Sequence, residues 1–428
     1  MNYRLGLTFL LLTLLTACTS PAAMAGEGGT VVPVSLSLPT TTQPVVPTAS
    51  PTLDPLPTRL PACLHRQAQA GLIIPSPSPT KTLPPTEEPV FLLATVYSSE
   101  PRVPAITYHQ FAADHAEAST ANKVRYADFR NQLQSLYDSG YSLISLQDWL
   151  AGNLAAPLGR RPLIFTMDDL FFNNQIRLTG EGEPSPETGI GLLWQFVQQH
   201  PDFGFHLSLF ATLGDKLYAN PDDPNWQLEL ARTIAWSVAH DALIYNHTYM
   251  HVRLNNTAPN DITWELTMND QYLRQLLGMV DRQDLVDRLG NIVALPYGEW
   301  PTKELARKAL LDYASPEGVP LQAIMEIDFI VRPKFILPPY SPDFDRLHLP
   351  RIVATQSTID YLVEHREQFP AAQKCSLGPL TETTIQEEKA IITQIALAIR
   401  QDRCPEGIYS VRGMIFEAQA AGTTRLYP

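Results

Sequence analysis

From about residue 101 onward, short apolar runs alternate with stretches whose apolar residues recur at helical spacing. The runs cover 104–108, 141–144, 162–166, 203–211, 242–245, 291–295 and 321–331, and a last one lies at 351–354. Each reads as a buried strand of a parallel sheet, where near-continuous apolar runs replace simple alternation. Phe129, Leu133, Leu136 and Tyr137 fall at i, i+4, i+7 and i+8, one stripe of an amphipathic helix that Gly140 would end. Similar periodicity predicts helices over 191–199, 226–239, 261–280, 302–312 and 358–366. Alternating strands and helices imply an α/β fold with a parallel sheet. About seven or eight such units close most economically into a distorted (β/α)7-type barrel, expected over 101–367. The pattern changes after about residue 368. There 384–401 reads as one amphipathic helix with Thr384 and Glu387 placed as a capping box, so 368–428 is expected to be a helical extension.

The amino end lacks this pattern. Arg4 opens it, an apolar run follows over 5–15, and Leu15-Thr16-Ala17-Cys18 closes it. That run is shorter than the ~20 residues a bilayer-spanning helix needs, and it has the shape of an export signal over 1–18. Its last four residues resemble the lipobox of bacterial lipoproteins. The resemblance implies a lipid anchor on Cys18 and an extracytoplasmic protein held at the cell membrane or cell surface. A plain secretory signal with an incidental Cys18 is the alternative. Residues 19–100 are then rich in Pro, Thr and Ser, and they hold many of the chain's 38 prolines. Such a tract buries too little apolar surface to fold and reads as a disordered tether.

Export places the other cysteines, Cys63, Cys375 and Cys404, in a disulfide-permissive compartment. Cys375 and Cys404 flank the same predicted helix and are the preferred pair; a bridge from Cys63 to the body stays open. The formal net charge of −13 argues against a nucleic-acid partner, because no basic stripe is present to neutralise phosphates.

In a barrel of this kind chemistry gathers where the strands end. Tyr108-His109, Asp168-Asp169, His247 with His251, and Pro296-Tyr297-Gly298 each follow a predicted strand. One helical turn would set His247 and His251 on the same face, and two imidazoles at that spacing begin a divalent-metal site. A third ligand is needed, and the aspartate pair is the best source. Taken alone, the histidines read equally well as a turn cap and a surface residue.

In this order the motifs resemble the polysaccharide deacetylase family, the NodB-homology group of carbohydrate esterases. Thr166-Met167-Asp168-Asp169 resembles its first motif, His247-Thr248-Tyr249-Met250-His251 its second, and Leu295-Pro296-Tyr297-Gly298 part of its third. Thr107-Tyr108-His109 resembles the opening of members that act on exopolysaccharides. Three departures stand out. Leu170 occupies a position where glycine is usual, no arginine opens the third motif near 291–295, and His348 is a weak match for the final histidine.

The resemblance implies that Asp169, His247 and His251 hold a divalent metal, zinc first, with cobalt, manganese or nickel as alternatives. Asp168 would be the general base, and the Tyr297 backbone N–H would stabilise the oxyanion. The implied activity is hydrolysis of N-acetyl or O-acetyl groups on an extracellular or cell-wall polysaccharide. A catalytically impaired glycan-binding lipoprotein on the same fold is the alternative. A glycosidase would need a carboxylate pair across a cleft instead. His109 reads as a pocket-lining or structural residue, and the group that protonates the leaving nitrogen is unassigned.

Overall fold

The computed structural model describes residues 90–427 apart from 117, 215–217, 219–222, 329–333 and 381–386. The expected export signal with Cys18, the expected tether up to residue 89, Cys63 and Thr384 lie outside the described residues. The described residues fall within one unit, Lys81–Pro428.

The chain enters at β1 (Val90–Tyr97) and passes to β2 (Ala105–Tyr108), β3 (Gln110–Ala112) and β4 (Lys123–Arg125). Helix α1 (Tyr126–Asp138) buries Phe129, Leu133 and Leu136, the stripe seen in the sequence, and stops before Gly140 at φ 82. Then come β5 (Tyr141–Leu143), α2 (Leu146–Leu150) and β6 (Arg161–Leu170). Four units follow: α3 (Gly189–Gln199) with β7 (Leu207–Ala211), α4 (Trp226–Ala239) with β8 (Ala242–Asn246), α5 (Pro259–Gly278) with β9 (Ile292–Ala294), and α6 (Glu304–Leu311) with β10 (Ala323–Met325). The barrel ends with β11 (Ile352–Val353) and α7 (Gln356–Glu364). Side-chain oxygens of Ser145, Thr188 and Thr355 cap α2, α3 and α7, which sets where those helices begin.

The parallel strands run in the order β10-β9-β8-β7-β6-β2-β11, with β5 beside β6. The two ends of this curled path meet through isolated parallel bridges, Met325 to Leu349 and Asp328 to Ile352. That is the distorted seven-stranded barrel expected from the alternation. Strands β7 and β8 are buried at every position, as their apolar runs require.

Both edges of the expected barrel differ from the expectation. Residues 90–97, expected in the tether, form β1, the second strand of a separate sheet ordered β12-β1-β13-β14-β15. Its partners are β12 (Gln373–Leu380), β13 (Gly407–Val411), β14 (Met414–Gln419) and β15 (Gly422–Tyr427). The carboxyl-terminal region is therefore a sheet with one helix, α8 (Glu388–Arg400), rather than a helical extension. Alternation explains it. Leu92, Ala94 and Val96 face Ile391, Ile395 and Ile399 of α8, while Tyr97, Ile408 and Ile415 join the barrel core. The sheet joins β1 to strands that follow the whole barrel, so no single stretch of sequence shows it. Cys375 and Cys404 form a disulfide across α8.

Among the described residues no helix is long and apolar enough to cross a membrane. Outside the barrel, Arg274 of α5 donates to Glu317 at 2.6 and 2.5 Å and lies 3.7 Å from Asp270, which accepts from the Tyr313 hydroxyl. The hydrogen bonds from Arg274 hold the Glu317 carboxyl at about 2, below its ordinary value of 4.5. A carboxyl depressed on folding stabilises the folded state above its unfolded pKa and loses that contribution as pH falls toward the folded one. Glu317→Gln should thus lower the urea midpoint at neutral pH, and the gap from wild type should close between about pH 4.5 and 2.

Candidate metal centre

Neighbours on a regular strand point to opposite faces. Asp168 and Asp169 are neighbours on β6, yet both line one cavity of about 700 Å³. Asp169 breaks the alternation. It sits at φ 58, in the left-handed region that short polar side chains tolerate, and the pairing of β6 with β7 slips between Met167 and Leu170. Leu170 is a buried residue ending the strand, so the chain turns after the aspartates without the usual glycine.

His247 and His251 reach the same cavity by a different route from the expected helical turn. The chain after β8 forms an irregular loop with Thr248 at φ 64 and His251 at φ 54. The Asn246 side chain accepts from the Thr248 N–H at 2.9 Å and donates to the Leu266 carbonyl at 2.9 Å. Glu265 accepts from the Met250 N–H at 2.7 Å. These side-chain contacts fix the loop to α5 and bring the two imidazole centroids to 4.9 Å.

Asp169 Oδ1 lies 3.1 Å from His251 Nε2 and 3.6 Å from His247 Nε2. The three potential ligand atoms are all within 4.8 Å of one another. Asp169 Oδ1 is buried without a hydrogen-bond donor, an arrangement that costs about 1–3 kcal/mol or more for a charged oxygen unless something satisfies it. His247 Nδ1 donates to the Ala294 carbonyl at 2.9 Å, which turns Nε2 toward the Asp169 carboxylate. Two imidazole nitrogens and one carboxylate oxygen around an unsatisfied anion fit a divalent cation of the zinc type.

Asp168 is held apart from this cluster. Its Oδ2 is 4.0 Å from His247 Nε2, and both its oxygens accept from Arg351, at 2.5 and 2.9 Å. Burial alone would raise this carboxyl, but the Arg351 guanidinium and the nearby His247 outweigh it and hold the value at about 2. Arg351 is fully buried, stacks over Phe210 at 4.9 Å, donates to Thr166 Oγ1 at 3.2 Å and reaches the Glu326 carbonyl at 3.1 Å. Arg351 lies far from the position before β9 where the family resemblance places an arginine. The available signal was a cation opening the apolar run at 351–354.

Tyr297, at φ 59, and Gly298, at φ 68, form the turn after β9. A Cβ on Gly298 would lie 2.7 Å from the Ile327 side chain, so the close approach requires glycine. The Tyr297 ring packs on His251 at 4.6 Å and beneath the Arg253 guanidinium at 3.9 Å. His109 lines the cavity with its Nδ1 buried and lacking a hydrogen-bond partner. Burial pushes its imidazole below the ordinary value against the opposing pull of Asp168 and Asp169. His348 is not a cavity residue: its Nδ1 meets Glu326 at 2.7 Å and its ring stacks on Trp300.

No family model matches the chain, and no curated protein matches it in sequence. In fold it is similar to several solved structures. A deacetylase of Streptococcus pyogenes in complex with acetate is 14% identical at a TM-score of 0.40, covering 62% of this chain and 98% of that one. A polysaccharide deacetylase of Bacillus cereus is 17% identical at 0.41, covering 62% and 69%. IcaB of Ammonifex degensii is 16% identical at 0.40, covering 62% and 98%.

Proposed function

We propose that this protein is a metal-dependent deacetylase acting on an acetylated polysaccharide. The observation that carries the reading is one cavity holding a three-ligand cluster, Asp169, His247 and His251, beside a separate ionised carboxylate, Asp168, locked by Arg351. A divalent cation bound by the cluster, zinc first and cobalt, manganese or nickel next, supplies Lewis acidity at the acyl carbonyl and at water. Asp168 takes the proton of the attacking water on its carboxylate, and Arg351 keeps that carboxylate aimed and charged. The Tyr297 backbone N–H stabilises the oxyanion that forms at the acyl oxygen. As the carbon–nitrogen bond breaks, the leaving nitrogen needs a proton. Asp168, which has taken the water's proton, returns it to that nitrogen, while the neutral His109 lines the cavity beside it.

The export signal and the lipobox-like Cys18 support an extracytoplasmic, lipid-anchored location, with a cell-wall or extracellular glycan as substrate. Purified protein with zinc, cobalt or manganese should release acetate from N-acetylated chito-oligosaccharides or from a generic acetyl ester. The Asp168→Asn/His247→Ala double variant should be at least ~10²–10⁴-fold slower, the range for a lost general base alone. Equal release by both proteins across the panel would instead favour a non-catalytic glycan-binding protein.

A further inference from the structure

The break in β6 that turns Asp169 toward the histidines takes ladder partners from the backbone around it. Pairing with β7 slips between Met167 and Leu170, and no glycine stands in the turn that follows. Backbone groups on both sides of the break are met by one side chain, that of Gln175. Its Nε2 donates to the Asp168 carbonyl at 2.9 Å and to the His109 carbonyl at 2.6 Å, and its Oε1 accepts from the Phe172 N–H at 2.7 Å. A primary amide has two N–H donors and a carbonyl acceptor, so these three contacts engage both of its polar atoms and fix which end is nitrogen. Gln175 is fully buried, and the Ile190 N–H at the start of α3 donates to its own carbonyl at 2.9 Å. A buried polar network satisfied in this way is rigid.

These contacts bracket Asp169. The Asp168 carbonyl stands just before it and the Phe172 N–H just after Phe171, so Asp169-Leu170-Phe171 is held at both ends. A residue other than glycine at φ 58 persists only where its surroundings over-determine it. Through the His109 carbonyl, the same amide ties the cavity wall that carries His109 to the strand end that carries the aspartates.

We propose that Gln175 is a positioning residue for the metal centre. It sets the backbone at Asp169, and through it the aim of that carboxylate at His247 and His251, without touching substrate or metal itself. The inference rests on the metal-dependent deacetylase reading. A purely structural role would instead lower stability and leave the site unchanged. Asn174 provides the internal comparison. Its Nδ2 donates to the Phe111 carbonyl at 2.6 Å, and its own carbonyl accepts from the Gly189 N–H at 3.0 Å. It ties the same segment to β3 and α3 rather than to the aspartates.

The test titrates the purified protein with zinc alone, read by calorimetry, and measures kcat and KM with 4-nitrophenyl acetate. Gln175→Met keeps the length of the side chain and loses all three hydrogen bonds. Zinc affinity should fall ~10–100-fold, the range for groups that orient metal ligands, and kcat by a similar factor, while KM stays within about twofold of wild type. Gln175→Asn keeps an amide but stops one carbon short of its partners. It should show the same fall to a smaller degree, and it carries the test if Gln175→Met does not fold. Asn174→Ala should lower the zinc-free urea midpoint and leave zinc affinity and kcat as in wild type. Wild-type zinc affinity in the folded Gln175 variant, or an equal loss of affinity in Asn174→Ala, overturns the proposal. Absence of zinc binding by the wild type overturns the metal centre and this inference together. Zinc binding without hydrolysis of any acetyl substrate sinks the deacetylase reading alone, and the zinc affinities then decide the role of Gln175.

Discussion

Replacing Arg351 with methionine should cost both stability and turnover. Arg351 is fully buried and Asp168 nearly so, and the guanidinium makes both contacts to that carboxylate. Removing one partner of a buried pair strands the other charge, with a typical cost of ~3–5 kcal/mol. The urea midpoint should fall accordingly, and acetate release should drop by ~10²-fold or more as Asp168 loses its orientation and is driven toward the neutral acid. Arg351→Lys should not rescue either property, because one ammonium cannot span both carboxylate oxygens and Thr166 together. The Asp168→Asn/Arg351→Met pair separates the two effects. Stability should recover in part, since no charge is stranded, while activity stays lost. Full stability in Arg351→Met alone would show that the pair is not the support described here.

Replacing His247 with alanine should abolish stoichiometric metal. Wild-type protein should carry about one divalent ion per chain, and zinc at 100 times its dissociation constant should add ~2.7 kcal/mol to folding stability. His247→Ala removes a buried ligand oriented by the Ala294 carbonyl, so the metal content and the zinc-dependent stabilisation should both vanish. Asp169→Asn should weaken both by a smaller step, because the oxygen remains but the charge is lost. Chelation of the wild type should reproduce the His247→Ala stability. Unchanged metal content in His247→Ala would remove this residue from the site.

Several features were legible because they depend on local pattern. The apolar runs at 162–166 and 242–245 appear as β6 and β8, and the 226–239 periodicity as α4. Strand ends predicted in sequence place His109, Asp168, Asp169, His247, His251 and Tyr297 around one cavity. The carboxyl-terminal sheet was not legible, because β1 pairs with β12 and β13 across almost the whole chain. β1 is itself a nearly continuous apolar run, but nothing local tells it from the tether before it or points to partners so distant.

The sequence by itself determined the alternation that makes a parallel barrel, and the residue types that can bind a metal at its rim. Only the tertiary structure decided how those residues face one another. Asp169 joins the histidines because its backbone adopts a positive φ, and His251 because a loop fixed by Asn246 and Glu265 replaces a helical turn. Asp168 is set apart from them because barrel closure brings Arg351 to it across 183 residues. Hydrophobic periodicity is a property of neighbours along the chain. The pairing of a buried carboxylate with a distant guanidinium is set by which strands lie side by side once the core has packed.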